Sequence, residues 1–210
     1  LFHEAHQLCL NTTTGERIWQ IEAFDVTSAP AIADGVMVTL NAYDNQIYAW
    51  GKGPTQLTVN APAVGVTTAT PIVISGSIYD LSSGSNQEAV TARFPHGLPA
   101  VSDDCMTPFM EYVYMQQEKP TNTTGVPISI DVIDGNGNYR NIGVVTSDAS
   151  GKFALSWTPD IPGDFKVVAS FAGSESYYAS SDVTFLTAGE PAPTQSPLPQ
   201  TTVPSNEMYF

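Results

Sequence analysis

The sequence contains few positively charged residues. Of its 210 residues, 7 are Lys or Arg and 21 are Asp or Glu, so the formal net charge is −14. Nucleic-acid binding depends on clustered cations that neutralise phosphate groups. Scattered cations supply no such cluster, and we therefore expect no nucleic-acid partner.

Long apolar segments are also missing. No apolar run approaches the roughly 18 residues of a membrane-spanning helix, and no charged segment precedes an apolar one in the manner of a signal peptide. The apolar content is nevertheless 42%, with 16 Gly and 16 Pro residues. This composition predicts a soluble, acidic and turn-rich chain that has a core but no membrane contact of its own.

The sequence lacks the common catalytic motifs. It has no GxSxG, GxGxxG, P-loop or HExxH pattern. His3 and His6 flank Glu4 at a spacing of three rather than the four of a helical zinc pair, and His96 stands alone after Pro95. We therefore predict no catalytic residue, no metal ligand and no cofactor.

Cysteine is limited to two residues, Cys9 and Cys105, which form no CxxC motif and have no identifiable base. Nucleophilic catalysis by either thiol is not expected. In an oxidising extracellular setting the two could form one disulfide between the N-terminal segment and a later helical region. The alternative is two separate buried thiols, and the sequence leaves both open.

Apolar and polar residues alternate through most of the chain, at the period of two that is typical of β-strands. Turn-forming Gly, Pro, Asn and Asp residues separate the alternating runs. Short strands at such spacing predict an all-β sandwich or barrel. The predicted strands are Val36–Leu40, Ile47–Trp50, Leu57–Val59, Ile72–Ile78, Ile128–Ile133, Gly143–Thr146, Phe153–Trp157, Phe165–Phe171 and Val183–Leu186.

One region departs from this alternation. Thr107 and Pro108 are a suitable N-cap and first helical residue, and they predict a helix over Phe109–Gln117. Its apolar residues share one face, which favours packing on a sheet over the alternative of a partner-docking surface. The helix lies within a predicted insertion at about residues 82–125.

Composition divides the chain into three parts. Residues 1–53 and 54–187 carry the strand patterns, whereas residues 188–210 are rich in Pro, Ser, Thr and Gln. Such a tail cannot build a core and favours extended polyproline II structure. We interpret it as a stalk or linker, or as a segment that docks on a neighbouring subunit.

Two kinds of local motif suggest modification or ion binding. Asn11 and Asn122 each begin an Asn-Thr-Thr sequon for N-glycosylation, and both fall in predicted turns or loops, so attached glycans are expected. Asp134–Asn138 is oxygen-rich like a calcium loop, but Val145 stands where an EF-hand loop needs a carboxylate. A hairpin turn is the favoured interpretation, and calcium is the alternative.

The first residues resemble a known propeller repeat. Leu8–Trp19 contain a strand, a turn ending in Thr-Gly and a second strand with the Trp, and Ala29–Leu40 and Gln46–Trp50 continue the pattern. This is similar to the tryptophan-docking repeat of pyrroloquinoline-quinone-like β-propellers, over about the first 53 residues. The resemblance implies that Gly15 occupies a positive-φ turn position and that Trp19 packs between neighbouring blades. It implies one blade-like antiparallel β segment.

A second resemblance covers about residues 54–187. Thr146–Phe153, Trp157–Pro159, Ile161–Ala169 and Phe171–Gly173 look like the corresponding strands and turns of immunoglobulin-like modules in prokaryotic surface proteins. A propeller repeat, such a module and a Pro/Thr-rich stalk together are similar to archaeal cell-surface propeller-repeat proteins. The resemblance implies an immunoglobulin-like β-sandwich with a short helical insertion.

These resemblances imply a non-catalytic extracellular or cell-surface protein with a structural or adhesive role. Its partners would be other copies of itself or other surface proteins, and strand or tail docking could build a filament. One alternative is the C-terminal part of a quinone-dependent dehydrogenase, whose active-site residues lie in blades that this sequence does not contain. Another is a carbohydrate-binding module that uses Tyr177 and Tyr178 as exposed aromatic side chains.

Overall fold

The computed structural model describes residues 5–25 and 30–191. These residues form thirteen β-strands and two α-helices, so the all-β prediction is confirmed. Two features considered above lie outside the described residues. They are the His3–Glu4 pair at the start of the sequence and residues 192–210 of the Pro-rich tail.

The strands and helices are numbered in chain order. The strands are β1 His6–Leu10, β2 Arg17–Glu22, β3 Ala31–Ala33, β4 Val36–Asn41, β5 Gln46–Trp50, β6 Thr55–Asn60, β7 Ile72–Asp80, β8 Leu98–Pro99, β9 Pro127–Asp134, β10 Tyr139–Thr146, β11 Lys152–Trp157, β12 Gly163–Phe171 and β13 Ser180–Ala188. The helices are α1 Glu88–Arg93 and α2 Asp103–Tyr114, preceded by a short 3-10 helix at Ser83–Asn86.

Strands β6 to β13 form a sandwich of two antiparallel sheets. One sheet has the strand order β10-β9-β12-β13, and the other has the order β11-β7-β6 with β8 paired to β7. Residues from both sheets share one core, in which Ile74 and Ile78 of β7 meet Ile130 and Val167 of the other sheet. Each sheet buries only one face, which explains the period of two in the sequence.

All nine predicted strands are present, although the observed strands are longer. The prediction over Ile72–Ile78 extends to Asp80, and the one over Gly143–Thr146 begins at Tyr139. Most of the additional residues are polar or aromatic and fall outside a strict apolar pattern, with Ile142 as the exception. Backbone pairing with a neighbouring strand defines these strand ends.

The predicted helix is correct in place but wrong in its limits. α2 begins at Asp103 with Ser102 as its N-cap and ends at Tyr114, so Pro108 lies inside the helix rather than at its start. Asp103 and Asp104 in the first turn favour this earlier start, because negative charge stabilises a helix N-terminus. The proline removes only one backbone donor, and the burial of α2 compensates for it.

The apolar face of α2 is buried in a small second core. Phe109 and Val113 pack there with Val90 of α1 and Leu98 of β8. Arg93 donates hydrogen bonds to the Val113 and Tyr112 carbonyls near the end of α2, each at 3.0 Å. These apolar residues are therefore part of a core, in agreement with the packing interpretation and not with a docking surface.

Residues 6–50 form two further sheets. β1 and β2 pair as a hairpin, and β3-β4-β5 form a three-stranded sheet. Phe24 connects them, because its N–H donates to Asn41 Oδ1 at 3.1 Å and its carbonyl accepts from the Ala42 N–H at 2.8 Å. The N-terminal segment is thus divided between two small sheets rather than forming a single four-stranded one.

The chain enters and leaves the sandwich at opposite ends. Next to the N-terminal segment, the Gly53 N–H donates to the Ser176 carbonyl at 2.9 Å, close to where β13 begins. β13 then runs for nine residues to Ala188, and the Gly189 N–H donates to the Val66 carbonyl at 2.9 Å. A strand of this length spans about 27 Å. The C-terminal tail therefore starts at the far end of the sandwich.

We expect Gly76→Ala to destabilise the sandwich by about 3 kcal/mol. Gly76 lies on β7 between β6 and β11, and a methyl group there would overlap the Thr58 carbonyl oxygen and the Phe153 ring. Gly135→Ala is the matched control, because its added methyl would lie 3.8 Å from its nearest neighbour, the Asp164 carbonyl oxygen. Urea unfolding measures both variants, and equal midpoints would contradict this account of the packing.

Candidate interaction surface

The outer face of the β3-β4-β5 sheet consists of aliphatic side chains. Val38 pairs with Ala31 on one side and Ala49 on the other, and Leu40 pairs with Ile47. Paired residues and alternate residues along a strand share a face of the sheet. We call the resulting set the aliphatic face, which comprises Ala31, Ala33, Val36, Val38, Leu40, Ile47 and Ala49.

All seven residues of the aliphatic face are exposed. Val36, Val38 and Leu40 are each 39% exposed, and Ile47 is 74% exposed. None of the seven carries a charge or a hydrogen-bonding side chain. Scattered exposed aliphatic residues are ordinary, but a contiguous apolar patch marks a site where another surface binds. The aliphatic face is therefore the strongest candidate for an interaction site.

The inner face of the same sheet packs on the β1-β2 hairpin. The Trp50 ring of β5 stacks on Trp19 of β2 with ring centroids 6.4 Å apart, and on Tyr48 at 5.2 Å. The Trp50 indole N–H donates to Thr39 Oγ1 at 2.8 Å. Trp19 therefore lies between two neighbouring sheets. Gly15 has a φ of 74°, a left-handed conformation that the turn before β2 requires.

The hairpin also exposes apolar side chains. Leu8, Leu10 and Ile18 are between 52% and 59% exposed. The two sheets of the N-terminal segment thus cover one face of each other through Trp19 and Trp50, and both leave aliphatic residues in contact with solvent. Most of the exposed apolar side chains of this segment are on the outside of the two sheets, and Ile32 on the other face of β3 is also 71% exposed.

Helix α2 covers the edge of β2 that does not pair with β1. Glu111 Oε1 accepts a hydrogen bond from the Glu22 N–H at 2.9 Å, and Thr107 Oγ1 donates to the Gln20 carbonyl at 2.9 Å. Gln117 Nε2 donates to Glu22 Oε2 at 2.7 Å. Two backbone groups of an edge strand are therefore satisfied by helix side chains, which keeps this edge closed to another strand.

A second contact joins α2 to the β3-β4-β5 sheet. The Tyr48 hydroxyl lies 3.4 Å from the Tyr114 carbonyl and donates to Asp44 Oδ2 at 2.6 Å. Burial and the neighbouring Asp44 carboxylate raise the pKa of Tyr48, so the hydroxyl keeps its proton at neutral pH. The helical region between β7 and β9 thus holds both sheets of the N-terminal segment.

Both cysteines are free thiols in the structure. Cys9 is half-buried in β1, and Cys105 is buried in the first turn of α2. Burial would raise the pKa of the Cys105 thiol, but hydrogen bonds with Ser102 and Thr124 outweigh it and lower the pKa. These contacts fix the loop after α2 to the start of that helix, which gives Cys105 a structural role.

The two sequons lie between strands, as expected. Asn11 is half-buried in the turn between β1 and β2, where its Oδ1 accepts from the backbone N–H groups of Thr13 and Thr14 at 2.8 and 3.2 Å. Asn122 is exposed in the loop before β9. Its backbone carbonyl lies 3.5 Å from Cys105 Sγ, and its side chain is accessible for modification.

The Asp134 loop is arranged as a turn. Its carboxylate accepts from the Asn138 side-chain amide at 2.9 Å, from the Asn138 N–H at 3.0 Å and from the Asn136 N–H at 2.9 Å. These donors lower the pKa of Asp134, with the Asn138 side chain contributing most. A carboxylate occupied by N–H groups favours the turn interpretation over calcium. Within the described residues, no three His, Cys, Asp or Glu side chains form a possible metal site.

In the part of the chain that the structure describes, the histidines and tyrosines considered in the sequence analysis do not come together in one site. His6 begins β1, and His96 lies in a turn before β8. The expectation that Tyr177 is exposed is wrong, since only 2% of this residue is accessible. Adjacent residues point in opposite directions, and the pairing of this loop with Gly53 buries Tyr177 and leaves Tyr178 57% exposed. Of the two tyrosines considered for carbohydrate binding, only Tyr178 is therefore accessible to a ligand.

The sandwich surface has shallow hollows, and several polar side chains that line them are hydrogen-bonded to other groups of the protein. One of about 510 Å³ lies over the outer side of β6, β7 and β11, where the Thr58 and Ser77 hydroxyls bond to each other at 2.8 Å. Another of about 650 Å³ lies beside Asp103. That carboxylate accepts from Ser174 Oγ at 2.9 Å and from the Glu175 N–H at 3.0 Å, so it holds a loop in place.

The sequence was compared with protein-family models and with curated proteins. No family model matches the sequence, and no curated protein matches it. In the described part of the chain, no helix is long and apolar enough to cross a membrane. The aliphatic face is therefore the main structural observation that bears on function.

We expect Glu111→Ala to loosen the contact between α2 and β2. The Glu22 N–H would lose its acceptor, so its hydrogen exchange should accelerate by about tenfold, equivalent to about 1.4 kcal/mol. Glu111→Gln keeps a side-chain oxygen of the same reach and is the matched control. Amide exchange measured by NMR tests the pair, and wild-type protection in Glu111→Ala would show that this contact is not needed.

Proposed function

We propose that this protein is a non-catalytic structural or adhesive module of the cell surface or extracellular space, and that it associates through its N-terminal sheets. The observation that carries the proposal is the aliphatic face on β3, β4 and β5. A partner that covers it, a second copy in the simplest case, would remove seven exposed aliphatic residues from water. Each 100 Å² of apolar surface buried contributes about 2.5 kcal/mol before the costs of association are subtracted.

The charge distribution supports association at this site. The chain has a net charge of −14, so two copies repel each other over most of their surfaces. The aliphatic face contains no charged residue, and contact there requires no burial of a carboxylate. Self-association through this face is therefore compatible with an acidic protein that otherwise stays dispersed.

An extracellular location agrees with the two sequons and with the composition. Asn122 is exposed and Asn11 lies in a turn, where attached sugars would not displace a core residue. Neither asparagine belongs to the aliphatic face. The sequence resemblance to surface modules points to the same location.

We expect Val38→Glu to weaken self-association by at least about 30-fold, or about 2 kcal/mol, because it places a charge at the centre of the aliphatic face. Val144→Glu is the matched control, since Val144 is 64% exposed on β10 of the sandwich. Sedimentation and light scattering over a range of concentrations measure the association of the wild type and both variants.

Two outcomes would overturn this proposal. In one, the wild type remains a monomer at concentrations of hundreds of micromolar and binds no surface protein. In the other, Val38→Glu and Val144→Glu associate equally well. Far-UV circular dichroism of each variant excludes unfolding as the cause of any loss.

A further inference from the structure

The spacing of the prolines that follow β13 is compatible with an edge strand of a β-sheet. Pro191, Pro193, Pro197 and Pro199 are all at odd positions. In an extended strand the N–H groups of alternate residues point to opposite edges. The four missing donors would therefore lie on one edge of the strand, and the other edge would be complete.

The even-numbered residues of this segment all keep their N–H donors. They are Ala192, Thr194, Ser196, Leu198 and Gln200. Three of them directly precede a proline, which favours extended backbone at those positions. A segment with one complete edge and one proline edge meets the requirement for the outermost strand of a sheet. Such a strand pairs on one side and resists further strand addition on the other.

The β3-β4-β5 sheet offers a free edge for this segment. In the described part of the chain, β5 pairs with β4 and with no strand on its other side. β5, Gln46–Trp50, contains no charged residue. By comparison β3 has only three residues, and the free edge of β2 is covered by α2. β5 is therefore the edge that fits an uncharged strand best.

The geometry of the sandwich favours pairing between copies. The tail starts after Gly189, about 27 Å along β13 from the end of the sandwich that carries the N-terminal segment. Only Glu190 and Pro191 stand between Gly189 and Ala192, and they span about 7 Å when extended. A strand that uses the alternation from Ala192 onward cannot reach β5 of its own chain.

We propose that residues 192–200 of one copy add as a fourth strand to β5 of another copy. This inference rests on the proposed function, because it specifies how copies associate. Since the donor segment and the acceptor strand are different parts of the chain, the contact is head-to-tail, and it builds a ring or an open linear assembly according to the rotation between copies. The main-chain hydrogen bonds are those of β-augmentation.

Side-chain chemistry is consistent with this pairing. Residues 192–206 contain no charged side chain, in a chain with a net charge of −14. The rings of Pro193, Pro197 and Pro199 would share one face of the added strand because all three are at odd positions. If that face continues the aliphatic face beside Ile47 and Ala49, the assembly also enlarges the apolar surface of the sheet.

The positions of the prolines provide a sharp test. Ser196→Pro removes a donor from the pairing edge, and we expect it to weaken assembly of the full chain by about tenfold or more. Gln195→Pro adds a proline to the edge that already lacks donors, and we expect assembly to remain within about twofold of wild type. Both substitutions follow β13 in the chain and leave the residues of strands β6 to β13 unchanged.

Sedimentation velocity of the two variants and the wild type, at equal concentrations, measures this difference. Hydrogen exchange of the β5 amides, with and without a synthetic peptide of residues 190–204, reports the pairing directly. We expect the peptide to slow exchange at β5 in a chain that ends at Pro191, and a Ser196→Pro peptide to have no such effect.

Several outcomes would overturn this inference. If both proline variants assemble like the wild type, or both are weakened equally, the tail does not pair as a strand, although association through the aliphatic face still stands. If the monomeric wild type already protects β5 through its own tail, the contact is within one chain. If the wild type does not associate at all, the proposed function fails together with the inference.

Discussion

A β-sheet has two faces, and the small sheets at the start of this chain cover only one each. Trp19 and Trp50 occupy the single interface between them, so their outer sides keep aliphatic residues such as Leu8 and Val38 in contact with solvent. The sandwich sheets bury their inner faces in a shared core, and the outer face of β7 carries Ser75 and Ser77 beside an exposed Val73. The aliphatic face distinguishes the N-terminal segment, because its seven residues adjoin one another, whereas exposed apolar residues of the sandwich such as Val144 and Phe185 lie on strands that are not neighbours.

Helix α2 determines how that segment is presented. The helix is anchored in its own core with Leu98 and Val90, and Asp103 at its start holds the loop before β13. Through Glu111 it then holds the edge of β2. Because one helix contacts both parts of the molecule, the N-terminal sheets are attached to the sandwich by more than the short connection between β5 and β6.

The strands were predictable because alternation is a local property. Each sheet buries one face, so buried apolar residues such as Phe165 and Val167 occur at alternate positions of the sequence. The start of α2 was not, because Pro108 suits the first turn of a helix and competes as a start signal with the acidic residues Asp103 and Asp104. The burial of Cys105 and Phe109 then stabilises the longer helix. The hydrogen bonds to β2 and the burial of Tyr177 depend on residues distant in sequence, which no local pattern encodes.

The charge of the chain limits where copies can meet. At physiological salt, charges are screened beyond about 8 Å, so repulsion matters only once surfaces are nearly in contact. At that distance a carboxylate on either side opposes docking, whereas the aliphatic face and the uncharged residues 192–206 do not. The donor segment follows β13 in the chain, whereas its proposed acceptor β5 precedes the sandwich. A contact between them would join different surfaces of neighbouring copies, and such an interface closes into a ring or extends as a filament according to the rotation between copies.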